Sequence, residues 1–349
     1  MTVGQQSTRM SSRRIEGNVQ GGNGQGRVQF RHLYAPIADE LAAVEEILRR
    51  ELRSRFPFVD ALVQHGNRLG GKRMRPALLL LAGQACGPLN DEHVLLAAVV
   101  EMIHTATLVH DDVLDEASLR RHVQTVNARF DNEASVLLGD YLFSHAFYLA
   151  STVGSTLACQ HIGRSTNIVC QGELLQIASR GNFQLSEMQY LRIIDGKTAE
   201  LCACSCLLGA SYAGADEKRQ QSLRRFGRRL GIAFQIVDDL LDLLGDEDQT
   251  GKSLGSDLEK QKLTLPLIRL LDLADAAECQ QVEEIVRLPA SERREVLFPL
   301  LERYDAVNYA RTRAARFAER ARKELANLPE SATRDVLESM TEFVIARQH

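Results

Sequence analysis

Tryptophan is absent from this 349-residue sequence, aromatic residues make up only 5%, and there are 8 prolines. Strands are rich in aromatic and β-branched residues, so the shortage of aromatics and of alternating runs argues against a β protein. No charge of one sign dominates either, because 42 Lys and Arg stand against 46 Asp and Glu. A chain without a basic excess is not expected to bind nucleic acid by neutralising phosphates.

The sequence also lacks the usual signals of export and membrane insertion. No apolar run approaches the ~20 residues that span a bilayer, and no apolar stretch follows the basic residues Arg9, Arg13 and Arg14. Seven cysteines are an odd number, which favours reduced thiols. We therefore expect no transmembrane segment and a cytoplasmic location.

Apolar residues recur at helical spacing from about Ala35 onward, beginning with an amphipathic face between Ile37 and Leu52. The periodicity then predicts helices over residues 74–86, 91–115, 133–152, 157–179, 186–213, 217–244, 262–275, 291–301, 304–327 and 332–346. Residues 1–30, rich in Gly, Gln, Ser and Asn, predict a flexible tail. No linker-like stretch interrupts the rest, so we expect one all-helical domain over residues 31–349.

Two similar acidic clusters are the strongest signal in the sequence. Their members are Asp111, Asp112 and Asp115 in HDDVLD, and Asp238, Asp239 and Asp242 in VDDLLD. On a helix, each cluster presents three carboxylates within one turn, where like charges repel. A solvated acidic face is the ordinary explanation, but both clusters end long apolar helices, so we expect cations to neutralise them. Oxygen ligands with positions left for phosphate oxygens suit Mg²⁺ better than Ca²⁺ or Zn²⁺.

Basic residues flank both clusters. The first group is the motif GGKRMRP with Lys72, Arg73 and Arg75. Its glycines let the backbone approach a ligand closely at a predicted helix start. Further candidates are Arg120, Arg121, Lys197, Thr198, Lys252 and Lys262. Each alone is typical of a protein surface, but together with the carboxylates they indicate a site for a polyphosphate that must leave.

Six motifs together resemble the trans-isoprenyl diphosphate synthase family. They are GGKRMRP, HTATLVHDDVLDEASLRR, LLGDYLFSHAF, GELLQ, GKTAEL and GIAFQIVDDLLDLLGDEDQTGKSLGSDLEKQKLTLPLI, in the family's order across about residues 65–270. The resemblance implies a bundle of long antiparallel helices around a central cavity, the isoprenoid synthase fold, usually in a homodimer. It also implies head-to-tail condensation of an allylic diphosphate with isopentenyl diphosphate, with three Mg²⁺ ions per site.

The resemblance also implies roles for individual residues. Asp111 and Asp115 would bind Mg²⁺ that bridges to the allylic diphosphate, with Asp112 assisting. Asp238 would bind a further Mg²⁺, supported by Asp239 and Asp242. The residues that match the isopentenyl diphosphate site are Lys72, Arg75, His104 and Arg121. Those that match the allylic site are Arg120, Lys197, Thr198, Gln235, Lys252 and Lys262, of which the Thr198 hydroxyl and the Gln235 amide oxygen would stabilise a carbocation.

Product length is expected to depend on the residues one turn before Asp111, which share its helix face. These are Ala106 and Thr107, small residues where short-chain members of the family carry aromatics, with Met102 and Ile103 one turn further. We therefore expect a medium- to long-chain product, heptaprenyl to decaprenyl, with octaprenyl as the central estimate. The alternative is a short-chain farnesyl or geranylgeranyl product, if bulky residues of another helix close the cavity.

Two departures from the family pattern concern loop geometry. His122 follows the arginine pair where the family has glycine, and Gln261 replaces the glycine before Lys262. Neither residue adopts a positive φ as cheaply as glycine does, so the shape of both loops is in question.

Three alternatives to this enzyme are a non-catalytic partner subunit of a heteromeric synthase, a class I terpene cyclase and a helical scaffold. The complete second cluster and the matches at Lys72, Arg75 and His104 argue against them. Cys202, Cys204 and Cys206 are interpreted as small buried residues, because Cys204 faces away from the other two on a helix. We also expect peripheral membrane contact, because a long apolar product must be released.

Overall fold

The computed structural model describes residues 33–68, 71–244 and 255–346, so the predicted tail, residues 1–30, lies outside the described part. The helices, in chain order, are α1 Ala38–Glu51, α2 Pro57–Arg68, α3 Met74–Gln84, α4 Asp91–Leu114, α5 Val126–Arg129, α6 Asn132–Thr152, α7 Leu157–Ala178, α8 Glu187–Ile194, α9 Glu200–Tyr212, α10 Glu217–Leu244, α11 Ser256–Glu259, α12 Leu265–Leu273, α13 Ala276–Val286, α14 Ala290–Arg303, α15 Ala306–Glu324 and α16 Ala332–Ala346. The predicted all-α fold class is confirmed.

Short elements complete this framework. Two 3₁₀ turns, Ala35–Ile37 and Leu325–Asn327, precede α1 and follow α15, and a π-helical turn, Asp195–Ala199, joins α8 to α9. In the described residues the only sheet is a hairpin of two strands, β1 Leu119–Arg120 and β2 Val123–Gln124, paired antiparallel. The π turn and the hairpin both lie next to residues of the predicted site.

Capping signals in the sequence set where two site-bearing helices begin. At the start of α4, the Asn90 side chain accepts from the His93 backbone N–H, and the His93 ring accepts from the Asn90 N–H. At the start of α6, Asp131 Oδ1 accepts from the Ala134 N–H at 2.6 Å. From its cap α4 extends about 36 Å, at ~1.5 Å per residue, and carries the first acidic cluster at its far end.

Helices α4 and α9 form the centre of the bundle. α9 is buried from Glu200 to Ala210, and it packs against α3 and α10, while α4 packs against α6. α4 is long and apolar enough to cross a bilayer by length and composition, but 67% of its most apolar window is buried inside the protein. We therefore assign α4 to the core. The interpretation of Cys202, Cys204 and Cys206 is confirmed, because all three are buried free thiols.

The structure differs from the predicted helix pattern in three places. The single helix predicted over 186–213 is interrupted by the π turn, whose wider spacing leaves no mark on apolar periodicity. The hairpin was not predicted, because two residues per strand are too few to show alternation. Helices α2 and α13 were also not predicted from the apolar periodicity, although both are amphipathic in the structure.

Candidate active site

The adjacent residues Lys197 and Thr198 connect the two acidic clusters. The Lys197 ammonium lies 3.4 Å from Asp111 Oδ2 in the first cluster. The Thr198 hydroxyl donates to Gln235 Oε1 at 2.7 Å, and Gln235 Nε2 donates to Asp239 Oδ1 in the second cluster at 2.7 Å. Neighbouring residues of one turn therefore reach both clusters, which means that the ends of α4 and α10 line the same cleft.

Asp115, at the C-cap of α4, is surrounded by cations. Its carboxylate lies 3.0 Å from Arg180, 3.2 Å from Lys260 and 3.0 Å from Lys262. Burial disfavours the charged form, but Lys262, Lys260 and Lys197 outweigh it and hold the pKa of Asp115 below its ordinary value. Asp115 therefore stays ionised at neutral pH, and the positive charge beside it exceeds its own.

The other two carboxylates of the first cluster are paired as well. Buried Asp112 accepts from Arg120 Nε and Nη2 at distances between 2.7 and 3.1 Å, a bidentate ion pair. Asp111 shares the Lys197 ammonium with Glu173 of α7. Burial would lower the pKa of Lys197, but these two carboxylates raise it above its ordinary value. Asp112 thus fixes Arg120, whereas Asp111 stands in the cleft.

The donor chemistry of the cleft fits a hard divalent cation that substrate oxygens help to bind. Asp111 and Asp115 offer only oxygen ligands from one helix end. Among the described residues no three His, Cys, Asp or Glu side chains already converge on a point. A protein that contributes one or two carboxylates, with phosphate oxygens and waters completing the octahedron, is typical of Mg²⁺ sites. The residues that could hold such an ion are Asp111, Asp115 and Asp238.

The second cluster is built around a buried carboxylate. Tyr190 of α8 donates its hydroxyl to Asp239 Oδ2 at 2.6 Å, while Gln235 donates to the other oxygen. Burial and the neighbouring Asp257 raise the pKa of Asp239 well above its ordinary value, although the two hydrogen bonds favour its charged form. Asp242 Oδ2 accepts from the Asp257 backbone N–H at 3.1 Å. Asp239 and Asp242 therefore hold the end of α10 in place through hydrogen bonds within the protein.

A second region of the cleft is rich in arginine. Burial and the nearby Arg75, Arg120 and Arg121 hold the pKa of His104 well below its ordinary value, so the ring is neutral near pH 7. Burial and Arg120 also lower the pKa of Arg121. Arg75 Nε is buried without a hydrogen-bond partner. Several guanidinium groups that repel one another and a neutral imidazole suit an incoming diphosphate.

Residues 71–76, the described part of the GGKRMRP motif, begin beside the Arg121 guanidinium. The Arg121 guanidinium lies directly against Gly71, and a Cβ at that position would displace it. Lys72 is exposed beside it, and Arg73 is engaged in ion pairs with two glutamates. Asp238 of the second cluster lies close enough to act electrostatically on Arg121. The residues predicted to bind isopentenyl diphosphate thus lie on one side of the cleft.

Backbone-to-backbone packing positions the π turn. A Cβ on Gly172 of α7 would collide with the backbone N of Lys197, and Gly172 also lies against Gly196. This close approach lets Lys197 Nζ pair with Glu173 and donate to Gln176 Oε1 at 2.8 Å. The motifs GELLQ and GKTAEL are therefore two halves of one structural unit. A π turn at a functional site is a recurrent feature of helices.

Positive φ angles occur at both departures from the family pattern. Arg121 and His122 have φ of 53° and 64° in the two-residue hairpin turn, and Gln261 has φ of 53°. A type I′ turn requires such angles at both central residues. The Gln261 carbonyl accepts from the Gly181 N–H at 2.9 Å, which holds the segment bearing Lys262. The loops keep the shape glycine would favour, although His122 and Gln261 are strained in it.

The expected product end of the cleft is closely packed. Ala106, Met102 and Ile103 are fully buried, whereas Thr107 is partly exposed and donates its hydroxyl to the His104 carbonyl at 2.7 Å. Thr107 is therefore the predicted chain-length residue that borders open space. The roles of Ala106 and Thr107 stay predictions.

Several residues of the cleft were not predicted from the sequence. They are Glu173, Gln176, Arg180, Tyr190, Asp257 and Lys260. The motif GELLQ contains the first two, but its pattern alone does not indicate that they face Lys197. Lys252, which was predicted, lies outside the described residues.

Comparison with known proteins agrees with this geometry. Residues 57–302 match the family model described as polyprenyl synthetase. The chain is 37% identical to an all-trans-nonaprenyl-diphosphate synthase (geranyl-diphosphate specific) of Rhodobacter capsulatus, over 90% of this chain and 97% of the relative. It is 34% identical to an octaprenyl diphosphate synthase of Escherichia coli, over 89% of this chain and 96% of the relative. It is 32% identical to heptaprenyl diphosphate synthase component 2 of Bacillus subtilis, over 92% of each.

A solved structure extends the comparison to the fold. The polyprenyl synthase of Caulobacter crescentus, complexed with calcium and isoprenyl diphosphate, superposes with a TM-score of 0.86 at 33% identity, covering 92% of this chain and 98% of that one. The chain belongs to the polyprenyl synthetase family. It is an enzyme, a trans-polyprenyl diphosphate synthase.

Proposed function

We propose that the enzyme condenses an allylic diphosphate with isopentenyl diphosphate, head to tail and repeatedly, in a Mg²⁺-dependent reaction. The observation that carries this proposal is the Lys197–Thr198 pair, in which Lys197 contacts Asp111 of the first cluster and Thr198 is linked through Gln235 to Asp239 of the second. The arginine-rich region around His104 supplies a second anion site beside it. Two anionic substrates, each with its own cations, are what a condensation of two diphosphates requires.

The protein's own groups account for most of the chemistry. The C–O bond of the allylic diphosphate breaks, and Lys197, Arg120 and Lys262 bind the departing diphosphate oxygens. Mg²⁺ held by Asp111, Asp115 and Asp238, with three ions as in the family, would act as a Lewis acid on that diphosphate. The Thr198 and Gln235 oxygens face the allylic cation as neutral dipoles.

The second half of the reaction forms the new carbon–carbon bond. The double bond of isopentenyl diphosphate, held by Lys72, Arg75, His104 and Arg121, attacks the allylic carbon. A proton then leaves the adjacent carbon for the released diphosphate, so no basic side chain is needed. The reaction requires that water be kept away from the cation, because water would convert it to an alcohol.

We propose a medium- to long-chain product with octaprenyl length as the centre of the range. The small residues Ala106 and Thr107 support it, and the relatives named above are heptaprenyl, octaprenyl and nonaprenyl synthases. The Ala106→Phe variant should give shorter products, because the packed interior leaves no room for the ring, which must extend into the space that the neighbouring Thr107 borders. Thin-layer chromatography of radiolabelled products checks this, and a wild-type product that stops at geranylgeranyl length would contradict the proposal.

We also propose that the enzyme is a homodimer in the cytoplasm. The apolar side chains Val136, Leu137, Tyr148, Leu174 and Leu175 are exposed on α6 and α7. An exposed apolar surface of this kind is typical of a subunit interface. The relative named component 2 gives the alternative, a heteromer with a different subunit.

One assay separates the proposed reaction from its rivals. The purified protein is incubated with Mg²⁺ and farnesyl diphosphate, with and without isopentenyl diphosphate, and diphosphate release is measured. We expect release only when both substrates are present, and loss of release in the Asp111→Asn and Asp238→Asn variants. Release without isopentenyl diphosphate would indicate a cyclase, and no release under either condition would indicate a non-catalytic subunit.

A further inference from the structure

The connection between α1 and α2 exposes two phenylalanines. Phe56 is 57% exposed and Phe58 is 62% exposed, two residues apart in one turn. Phe58 contacts Phe130 edge-on at 6.1 Å between ring centroids, and Phe56 contacts the Arg55 guanidinium. A lone exposed apolar residue needs no explanation, but two aromatic rings on one loop indicate a binding surface.

The same loop is strongly basic in a chain of net charge −4. Residues 49–58 contain four arginines and one acidic residue, Glu51. Arg49 and Arg50 pair with glutamates of α1. In the described part of the chain no carboxylate pairs with Arg53 or Arg55, and both side chains are exposed. The loop therefore offers positive charge and aromatic rings together.

Hydrogen bonds hold the loop in shape. The Ser54 N–H donates to Asp60 Oδ1 at 3.0 Å, the Phe56 N–H donates to Ser54 Oγ at 3.2 Å, and Gln64 Nε2 donates to the Leu52 carbonyl at 2.7 Å. Because the backbone is tied at these points, the two rings are presented outward and do not fold back onto the core. The exposure of the two rings is therefore set by the hydrogen-bonded shape of the loop.

We propose that residues 53–58, the Arg–Phe loop, dock the enzyme on an anionic lipid surface. Phenylalanine rings enter the boundary between headgroups and acyl chains, and arginines bind lipid phosphates there. An anionic bilayer offers phosphates and an apolar interior side by side, so it fits both features of the loop. The purpose of the contact rests on the proposed function, since a long polyprenyl product partitions into a bilayer as it leaves.

Vesicle binding tests the proposal without substrates. The full-length protein is sedimented with vesicles of phosphatidylcholine alone and of phosphatidylcholine mixed with phosphatidylglycerol. We expect binding to the mixed vesicles at least about tenfold stronger than to the neutral ones, and weaker at high salt. The Arg53→Gln/Arg55→Gln variant should reduce binding about thirtyfold, at roughly 1 kcal/mol for each arginine. The Phe56→Ser variant should reduce it at least about tenfold, because a Phe side chain contributes roughly 1.5 kcal/mol or more when it leaves water.

A matched control carries the same chemical changes elsewhere. Leu273→Ser with Lys323→Gln removes an exposed apolar residue and an exposed cation from α12 and α15. This variant should bind vesicles as the wild type does. The Phe56→Ser variant should melt at the wild-type temperature, because its ring is mostly exposed and lies against the exposed Arg55 side chain.

Three results would overturn the proposal. They are failure of the wild type to bind anionic vesicles, equal binding by the loop variants, and a change of sedimentation mass in the loop variants with vesicle binding unchanged. The last result would assign the loop to a contact with a second copy of the chain. Failure of the proposed reaction would show separately, as absence of condensation in the vesicle-free assay.

Discussion

Tyr190 acts on the cleft through Asp239. Its hydroxyl and the Gln235 amide occupy the two oxygens of that carboxylate, and the Gln235 carbonyl in turn receives the Thr198 hydroxyl. The chain of hydrogen bonds fixes which end of the Gln235 amide points toward Thr198. Because Tyr190 is buried and reaches the cleft only through this carboxylate, we infer that it is a positioning residue.

Replacing Tyr190 with phenylalanine should lower kcat about tenfold and leave KM within about twofold, since a hydrogen bond to a charged group contributes roughly 1.5–3 kcal/mol. Steady-state kinetics with farnesyl and isopentenyl diphosphates measures both constants. Tyr309→Phe is the matched control, because Tyr309 donates to Glu187 outside the cleft. Equal losses in the two variants would show that Tyr190 has only a structural role.

His122 is held at a positive φ of 64° in the hairpin turn. Glycine adopts this conformation without strain, at the expense of greater freedom in the unfolded chain. We expect His122→Gly to raise Tm by about 1–3 °C, since relief of strain of roughly 1–2 kcal/mol exceeds the entropy loss.

Thermal melting measures the effect, and Gln124→Gly in the adjoining strand serves as the control. That variant should lower Tm, because glycine weakens an extended segment that has no strain to relieve. A drop in Tm for both variants would mean that the turn imposes no strain on His122.

At the scale of elements, the contact between α7 and the π turn controls where Lys197 lies. Gly172→Ala should reduce activity at least about tenfold, because the new Cβ meets the Lys197 backbone N and separates the two segments. Gly163→Ala on the same helix is the control, since its Cβ would meet only Phe147 at an ordinary 3.8 Å. Activity is assayed well below the measured Tm of each variant, and full activity in Gly172→Ala would contradict the assigned contact.

The same element shows what the sequence could and could not predict. The spacing of Asp111 and Asp115 and the apolar periodicity were sufficient to predict two carboxylate-bearing helix ends. The π turn was not predictable, because its extra residue per turn depends on Gly172 and Gly196 meeting across two helices. Tyr190 was missed for a similar reason: its partner is 49 residues away and nothing local distinguishes it from a core tyrosine.

At the scale of the whole molecule, α6 and α7 present a shared apolar face. They are consecutive and pack on each other, so the start of α6 lies beside the end of α7. Leu137 there is 67% exposed and Leu174 is 65% exposed. The proposed homodimer buries this face.

Leu137→Asp with Leu174→Asp should shift the protein from dimer to monomer, because two charges would be buried without partners. Sedimentation velocity measures the shift. Leu273→Asp, on α12 and 46% exposed, is the control and should stay dimeric. If the double variant sediments as the wild type does, the interface lies elsewhere on the molecule.

Each carboxylate of the first cluster rests against a lysine or arginine of its own chain. In the proposed reaction, Lys197, Lys260 and Lys262 would pass from carboxylate to phosphate when the diphosphate binds, and Asp111 and Asp115 would become available to a metal ion. Such an exchange would leave no unpaired charge inside the protein, and it would reverse when pyrophosphate departs. An enzyme that reloads many times during the growth of one chain, as proposed here, would then refill its pocket over a low electrostatic barrier.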